Sequence, residues 1–215
     1  MSRISFKLPL RGSLVPNGED DPLIYYYHPV VGPLYRARTR DFLSLLKPAY
    51  GSILEVGYGS GILMPTLATL TDNLHGIDIE TRASEVEDRL KILGVKVSLI
   101  QGDICKTPYP DHHFDLVIGI GIFQYFKEPQ TVMAEMKRIL KPQGYLLAGI
   151  PRVDDLMHQL FHLIGFHRSN ICHQIDYKQF IQAASKDFKL IKHIPFPRIL
   201  PSSFALFHSL LFQRI

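Results

Sequence analysis

Between residues 52 and 150 the chain alternates short apolar runs with longer segments of helical periodicity. The apolar runs are continuous and as long as strands, which is typical of parallel strands covered on both faces. Helices are predicted at 62–70, 84–93 and 129–140, and the order of elements indicates βαβ units and a parallel sheet. Strands are predicted at 52–57, 74–78, 95–100, 114–120 and 145–150.

The pattern is less regular at the two ends of the chain. Residues 12–22 are polar and marked by glycine and proline, and a helix is predicted at about 34–46. After residue 150, helices are predicted at 154–164 and 177–184, followed by a closing pair of strands at 188–194 and 204–212. The whole predicts an α/β, Rossmann-like fold with a mostly parallel seven-stranded sheet, helices on both faces and an antiparallel closing strand.

Composition agrees with a globular domain, since 46% of the residues are hydrophobic and 20% are charged. The two cysteines, Cys105 and Cys172, are too few for a disulfide framework and fit a reducing compartment. No signal peptide is expected, and no uninterrupted apolar run reaches the roughly 18 residues of a membrane span. We therefore expect a cytoplasmic protein.

The net charge of +4 is unevenly spread, with +3 on residues 1–50, −3 on 51–150 and +4 on 151–215. Basic flanks suit an anionic partner such as a lipid surface or an acidic substrate, although solvated surface charge explains them equally simply. Because basic and aromatic residues do not cluster together, no nucleic-acid partner is expected.

Glycines are closely spaced directly after the first predicted strand, in the segment EVGYGSG at 55–61. Glycine lets a backbone approach a ligand closely, and the start of the following helix supplies unpaired amide donors. The dinucleotide pattern G-x-G-x-x-G would need a third glycine at position 62, where Ile62 stands. A nucleotide-dependent oxidoreductase is therefore disfavoured.

The segment Glu55-x-Gly57-x-Gly59-x-Gly61 resembles the first motif of the class I S-adenosylmethionine-dependent methyltransferases. The resemblance covers about residues 50–150 and includes HGIDI at 75–79, GDI at 102–104, FDLVI at 114–118 and EMKRILKPQG at 135–144. Departures from the family pattern are Tyr58, Glu80 and Gln143. The resemblance implies that the chain binds S-adenosylmethionine.

The resemblance also implies roles for individual residues. The three glycines would hold the methionine end, Asp78 the ribose, and Asp103 and Ile104 the adenine, and Glu55 and Ile79 would also belong to the cofactor-binding set. Gly119 and Ile120 would line the path of the methyl group. Taken singly, the glycines could form an ordinary tight turn, Asp78 a helix cap and Asp103 a turn. These residues follow successive parallel strands, whose carboxyl ends meet at one edge of a sheet.

We therefore expect a methyltransferase acting on a small-molecule or lipid-like acceptor. The alternative is a non-catalytic protein that binds S-adenosylmethionine or S-adenosylhomocysteine on the same fold. Residues 1–48 would form an N-terminal extension and lid, and 49–215 the methyltransferase domain, with acceptor-site elements in 151–203. The residues leave the acceptor atom, the oligomeric state and the pathway open.

Candidate general bases are Tyr27, His28 and His173, although the tyrosines at 25–27 could equally be packing and His173 a surface residue. His158 and His162 are four residues apart, as zinc ligands on a helix can be. Without a third firm ligand, no metal site is predicted.

The segment YHPVVGPLYR at 27–36 is similar to the opening segment of bacterial phospholipid and quinone methyltransferases. This similarity, the basic flanks and the apolar tail at 199–212 suggest peripheral contact with a membrane. Closing strands of the sheet account for the tail equally well.

Overall fold

The computed structural model describes residues 4–18, 21–80, 82–152 and 174–215. Seven strands in this part of the chain form one sheet in the order β3-β2-β1-β4-β5-β7-β6. β7 is antiparallel to both of its neighbours, whereas β1 to β5 pair in parallel. The predicted fold class is therefore confirmed. The strands are β1 Ile53–Val56, β2 Leu74–Asp78, β3 Ser98–Gln101, β4 Phe114–Ile120, β5 Leu140–Pro151, β6 Phe188–Phe196 and β7 Phe207–Arg214.

Six α-helices flank the sheet in the described residues. The last of them has a complete capping box, in which Asp176 accepts from the Gln179 amide and the Gln179 side chain accepts from the Asp176 amide. The helices are α1 Leu23–Tyr26, α2 Gly32–Leu43, α3 Met64–Leu67, α4 Ala83–Ile92, α5 Pro129–Ile139 and α6 Tyr177–Ala184.

Alternate residues of β1 face two separate hydrophobic cores. Ile53 packs with Phe42 of α2 in the first core, which also holds residues of α3 and α4. Leu54 packs in the second core with residues of α5 and α6, among them Met136 and Phe180. Helices therefore cover both faces of the sheet, which explains why its strands are continuously apolar.

Several predicted boundaries are wrong, among them the starts of β3, at Ser98 rather than Val95, and of β7, at Phe207 rather than Phe204. The helix predicted at 62–70 is limited to Met64–Leu67, since residues 69 and 70 continue only as turns with hydrogen bonds to the third residue back. Such turns bury the same apolar side, so the periodicity extends beyond the helix. Strand β5 begins at Leu140 rather than Tyr145. Leu140 already pairs with Phe114 of β4, and a bulge at 141–144 separates this pair from the next one, Leu116 with Tyr145.

The predicted helix at 154–164 lies outside the described residues, together with His158, His162, His167, Cys172 and His173. In the part of the chain that is described, no group of three potential metal ligands is found. No described helix combines the length and apolar character that crossing a bilayer requires.

Candidate functional site

Three glycines, Gly57, Gly59 and Gly61, form the turn after β1. Their φ angles are +66°, +53° and +73°, in the left-handed region that other residues rarely adopt. A Cβ on Gly57 would lie 2.9 Å from Ile122, and a Cβ on Gly61 would lie 2.9 Å from Leu90. The turn therefore requires glycine both for its backbone conformation and for the close contacts around it.

Asp78, the last residue of β2, is hydrogen-bonded to the glycine turn. The Gly59 amide donates to Asp78 Oδ2 at 2.8 Å, and the Glu80 amide donates to Asp78 Oδ1 at 3.0 Å. Each of these carboxylate oxygens can accept a further hydrogen bond. The fold thus brings the glycine turn and Asp78 together, although they lie on different strands.

Glu55 lies in β1, just before the glycine turn, and is 1% exposed. Its Oε2 has no hydrogen-bond partner among the described residues. Burial, and then the negative charges of Asp78 and Asp21, raise the pKa of the Glu55 carboxyl well above its ordinary value. A buried carboxylate is unfavourable without a cation or hydrogen-bond donors, so this position suits a cationic group of a ligand.

Asp103 and Ile104 follow β3 at the same edge of the sheet as Asp78. The pairing of Asp78 with Gln101 places them just beyond the end of β2. Asp103 is exposed and its Oδ1 accepts the Cys105 amide at 2.8 Å, as in an ordinary Asx turn. Ile104 is buried in the second core.

The remaining strand-end residues differ in their surroundings. The side chain of Ile79 is 70% exposed beyond β2, and Ile120 is half-buried at the end of β4. A Cβ on Gly119 would lie 2.8 Å from both Phe123 and Val56. Gly119 therefore allows the loop after β4 to pack against the end of β1.

That loop carries a buried polar residue that the sequence analysis did not single out. Gln124 is 1% exposed, and its Oε1 has no partner in the part of the chain that is described. Its backbone carbonyl accepts the Gln174 amide at 2.8 Å. This hydrogen bond ties the loop to the segment that leads into α6.

The tyrosines of the N-terminal segment make structural contacts. Tyr26 is 1% exposed, and its hydroxyl lies 3.1 Å from Thr39 Oγ1. The Tyr27 hydroxyl donates to the Pro9 carbonyl at 2.9 Å, and His28 Nδ1 accepts the amides of residues 30 and 31. The role of Tyr27 and His28 as bases stays a prediction.

Two further residues outside the predicted set, Asn17 and Asp21, lie beside the glycine turn. Asp21 Oδ2 is 3.0 Å from the position that a Cβ on Gly59 would take, and the carboxylate also accepts hydrogen bonds from Ser60. Both residues are buried. The polar pattern of 12–22 indicates a loop, and no local signal shows which surface a loop will cover.

A cavity of about 410 Å³ lies beside the carboxyl end of β5. Burial, and then the neighbouring His193, lower the pKa of His208 to about 4, so its ring is neutral at physiological pH. His208 Nδ1 lies 2.9 Å from His193 Nε2, and the His208 ring stacks on Tyr177 with centroids 3.6 Å apart. The polar lining includes Arg152, Gln174, Asp176, Ser202 and His208.

The glycine turn, Asp78 and the unpaired Glu55 Oε2 thus meet at the carboxyl edge of the sheet. The family model described as a methyltransferase domain matches residues 54–148, which contain the glycine turn, Asp78 and Asp103. The match supports the resemblance of this segment to the class I S-adenosylmethionine-dependent methyltransferase family. Its cofactor is S-adenosylmethionine, whose ammonium group suits the unpaired Glu55 oxygen.

Curated relatives have related names. A ubiquinone/menaquinone biosynthesis C-methyltransferase, UbiE, from Pseudomonas savastanoi pv. phaseolicola is 35% identical over 54% of this chain and 48% of its own length. A phosphatidylethanolamine N-methyltransferase from Cereibacter sphaeroides is 33% identical over 44% of this chain and 47% of its own length. The chain thus spans about half the length of these relatives.

A solved structure supports the fold over a larger share of the chain. The N-methyltransferase NodS from Bradyrhizobium japonicum WM9, in complex with S-adenosyl-L-homocysteine, superposes with a TM-score of 0.68. The alignment covers 93% of this chain and 94% of that chain at 19% identity. At this identity the likeness concerns the fold alone.

Proposed function

We propose that this protein transfers the methyl group of S-adenosylmethionine to a small-molecule or lipid-like acceptor. The observation that carries the proposal is the junction of Gly59, Asp78 and the unpaired Glu55 at one edge of the sheet. Cofactor and fold are those of the family that residues 54–148 match. Both curated relatives named above are methyltransferases.

The cofactor's residue contacts follow from this arrangement. Glu55 and the glycine turn would hold the methionine end, and the free lone pairs of Asp78 would accept hydrogen bonds from the ribose hydroxyls. Asp103 and Ile104 would meet the adenine. When bound, the cofactor supplies an electrophilic methyl on a sulfonium, so the chief task of the protein is to place the acceptor in line with it.

The acceptor is assigned to the cavity beside β5. Its lining comes from the end of β5, the start of α6 and residues 202–208, within or beside the segment predicted to carry acceptor-site elements. The neutral His208 can take part in a hydrogen bond there. Gln124, in the loop after β4, is joined to this region because its backbone carbonyl accepts the Gln174 amide.

A lipid-like acceptor is favoured by the relatives, whose names include phosphatidylethanolamine and ubiquinone biosynthesis. Val30, Ile199 and Phe204 are 71%, 90% and 61% exposed, and the flanks that carry them are basic. Exposed apolar side chains with surrounding positive charge are suited to peripheral contact with an anionic membrane. Sedimentation with vesicles of anionic lipid, against vesicles of neutral lipid, tests this contact.

Ligand-dependent thermal stability tests the proposed function directly. S-adenosylhomocysteine should raise the melting temperature, whereas nicotinamide dinucleotides should not. Transfer of labelled methyl from S-adenosylmethionine is then measured with phospholipid, quinol and small amine or phenol acceptors. Cofactor binding without transfer to any acceptor would favour the non-catalytic alternative, and an absence of cofactor binding would refute both.

A further inference from the structure

Three residues that precede α1, namely Asn17, Gly18 and Asp21, lie close to the glycine turn or to the residues just after β2. The Asn17 amide donates to Asp21 Oδ2 at 2.9 Å, and the same oxygen lies 3.0 Å from the position of a Cβ on Gly59. On the other side, a Cβ on Gly18 would lie 3.0 Å from the Glu80 side chain. The amides of Gly59 and Glu80 both donate to Asp78, so Asp21 and Gly18 each lie beside a residue that is hydrogen-bonded to that carboxylate.

Asn17 is the unusual member of this segment. Its side chain is buried, with 3% of the residue exposed, yet neither Oδ1 nor Nδ2 has a hydrogen-bond partner in the described residues. A carboxamide can donate twice through nitrogen and accept through oxygen. Leaving all of this capacity unused inside a protein is unfavourable, so a bound group that both accepts and donates fits the position.

The amino-acid end of the cofactor is such a group, because its carboxylate accepts hydrogen bonds and its ammonium donates them. Glu55 can pair with the ammonium but, as an anion, it repels the carboxylate. The site as predicted from the sequence thus lacks a side-chain donor for that carboxylate. Asn17 Nδ2 is an unused donor on a residue whose amide is hydrogen-bonded to Asp21, and Asp21 lies beside Gly59.

We infer that Asn17 binds the amino-acid end of S-adenosylmethionine, and that Asp21 is a positioning residue that holds Asn17 against the glycine turn. Asp21 Oδ2 accepts the Asn17 amide, Oδ1 accepts the Leu23 amide at 2.9 Å, and the carboxylate also accepts from Ser60. The carboxylate therefore joins the N-terminal segment to the turn after β1. This inference rests on the proposed function and extends the cofactor site beyond residues 54–148.

Calorimetric titration with two ligands tests the assignment. S-adenosylhomocysteine carries the amino-acid end, whereas 5′-methylthioadenosine keeps the adenosine and the sulfur but lacks that end. Asn17→Ala should weaken S-adenosylhomocysteine about tenfold or more, since a hydrogen bond to a charged group is lost, and should leave 5′-methylthioadenosine unchanged. Asn17→Asp, similar in size, should weaken S-adenosylhomocysteine at least as much because it repels the carboxylate.

The matched control is Asn73→Ala, at an exposed asparagine beside the start of β2, which should bind both ligands as the wild type does. Ligand-free Asn17→Ala should melt no lower than the wild type, since it loses a buried side chain without partners. Equal weakening of both ligands with a lower melting temperature would show a structural role and overturn the inference, as would unchanged binding of S-adenosylhomocysteine. If the wild type bound neither ligand, the proposed function itself would fail, and this inference with it.

Discussion

Glu55 and Asp115 are carboxylates on neighbouring strands, near opposite ends of the same sheet. Asp115 Oδ2 accepts the Ser52 amide at 2.8 Å, Ser52 Oγ at 3.0 Å and Lys141 Nζ at 2.8 Å. Burial alone would raise the pKa of Asp115, but the hydrogen bonds from Lys141 and Ser52 lower it below its ordinary value. Glu55 Oε2 has no described partner, and the pKa of Glu55 is raised.

The difference separates two uses of a negative charge. At the amino end of the strands the carboxylate is satisfied by the protein and stabilises the fold. At the carboxyl end one oxygen of the Glu55 carboxylate has no described partner, which on the proposed function leaves it for the ligand. Substituting Glu55, at the carboxyl ends of the strands, should therefore change mainly cofactor affinity. Substituting Asp115, at the amino ends, should change mainly the free energy of unfolding.

The largest effect is expected from Asp78→Ala. It removes two acceptors for the ribose and frees the Gly59 amide, so affinity for S-adenosylhomocysteine should fall about 100-fold or more, measured by calorimetric titration. The ligand-free variant should also melt at a lower temperature, because the Gly59 and Glu80 amides lose their acceptor, so the titration is run well below that temperature. Unchanged affinity would contradict the ribose assignment.

Glu55→Gln should have the next largest effect, reducing affinity for S-adenosylhomocysteine about tenfold while raising the stability of the ligand-free protein. The folded-state pKa of Glu55 lies above its ordinary value of 4.5, so the stability gained from the protonated form is present below pH 4.5. It is lost as the pH rises through the raised pKa.

Over the same pH range the wild type should gain affinity, because the ionised carboxylate pairs with the ammonium of the ligand. The measurements are titration calorimetry and thermal melting at a series of pH values. Glu55→Gln is the control for the wild type, because without a titrating group at position 55 neither its affinity nor its melting temperature should change with pH in that range. A wild type without either dependence would show that Glu55 is satisfied in some other way.

Asp115→Ala should act in the opposite manner, lowering the free energy of unfolding by about 1–2 kcal/mol through the loss of the Ser52 and Lys141 hydrogen bonds. Its affinity for S-adenosylhomocysteine should equal that of the wild type. Because the folded-state pKa of Asp115 is depressed, its contribution is present above pH 3.8 and is lost as the pH falls through the lowered pKa. Denaturant unfolding at several pH values measures this.

The smallest effect concerns the backbone. Gln143 has φ +62° at the amino end of the sheet, in the left-handed region that glycine occupies at the other end. Gln143→Gly should therefore raise the free energy of unfolding by about 0.5–1 kcal/mol without altering cofactor affinity. Gly59→Ala is the contrasting variant, because its Cβ would meet Asp21 and disturb the site. If Gln143→Gly were less stable than the wild type, the Gln143 side chain would stabilise the fold by more than its left-handed backbone conformation costs.

Much of the fold could be predicted because its signals are local and repeated. The continuous apolar strands and the intervening helices specify a parallel sheet covered on both faces, and the observed strand order agrees. The boundaries at 62–70 and 140–145 were less predictable, since turns and bulges can preserve the same apolar periodicity.

For the candidate site, the sequence alone determined the glycine turn and the carboxylates at the strand ends, because these residues follow directly from strand positions along the chain. Only the tertiary structure decided that the Gly59 amide donates to Asp78, that Glu55 keeps an unpaired oxygen and that Asp21, which accepts the Asn17 amide, lies beside the turn. The physical reason is that the satisfaction of a buried polar group depends on every element packed around it. A loop's sequence shows that it is a loop, but packing selects the surface that it covers.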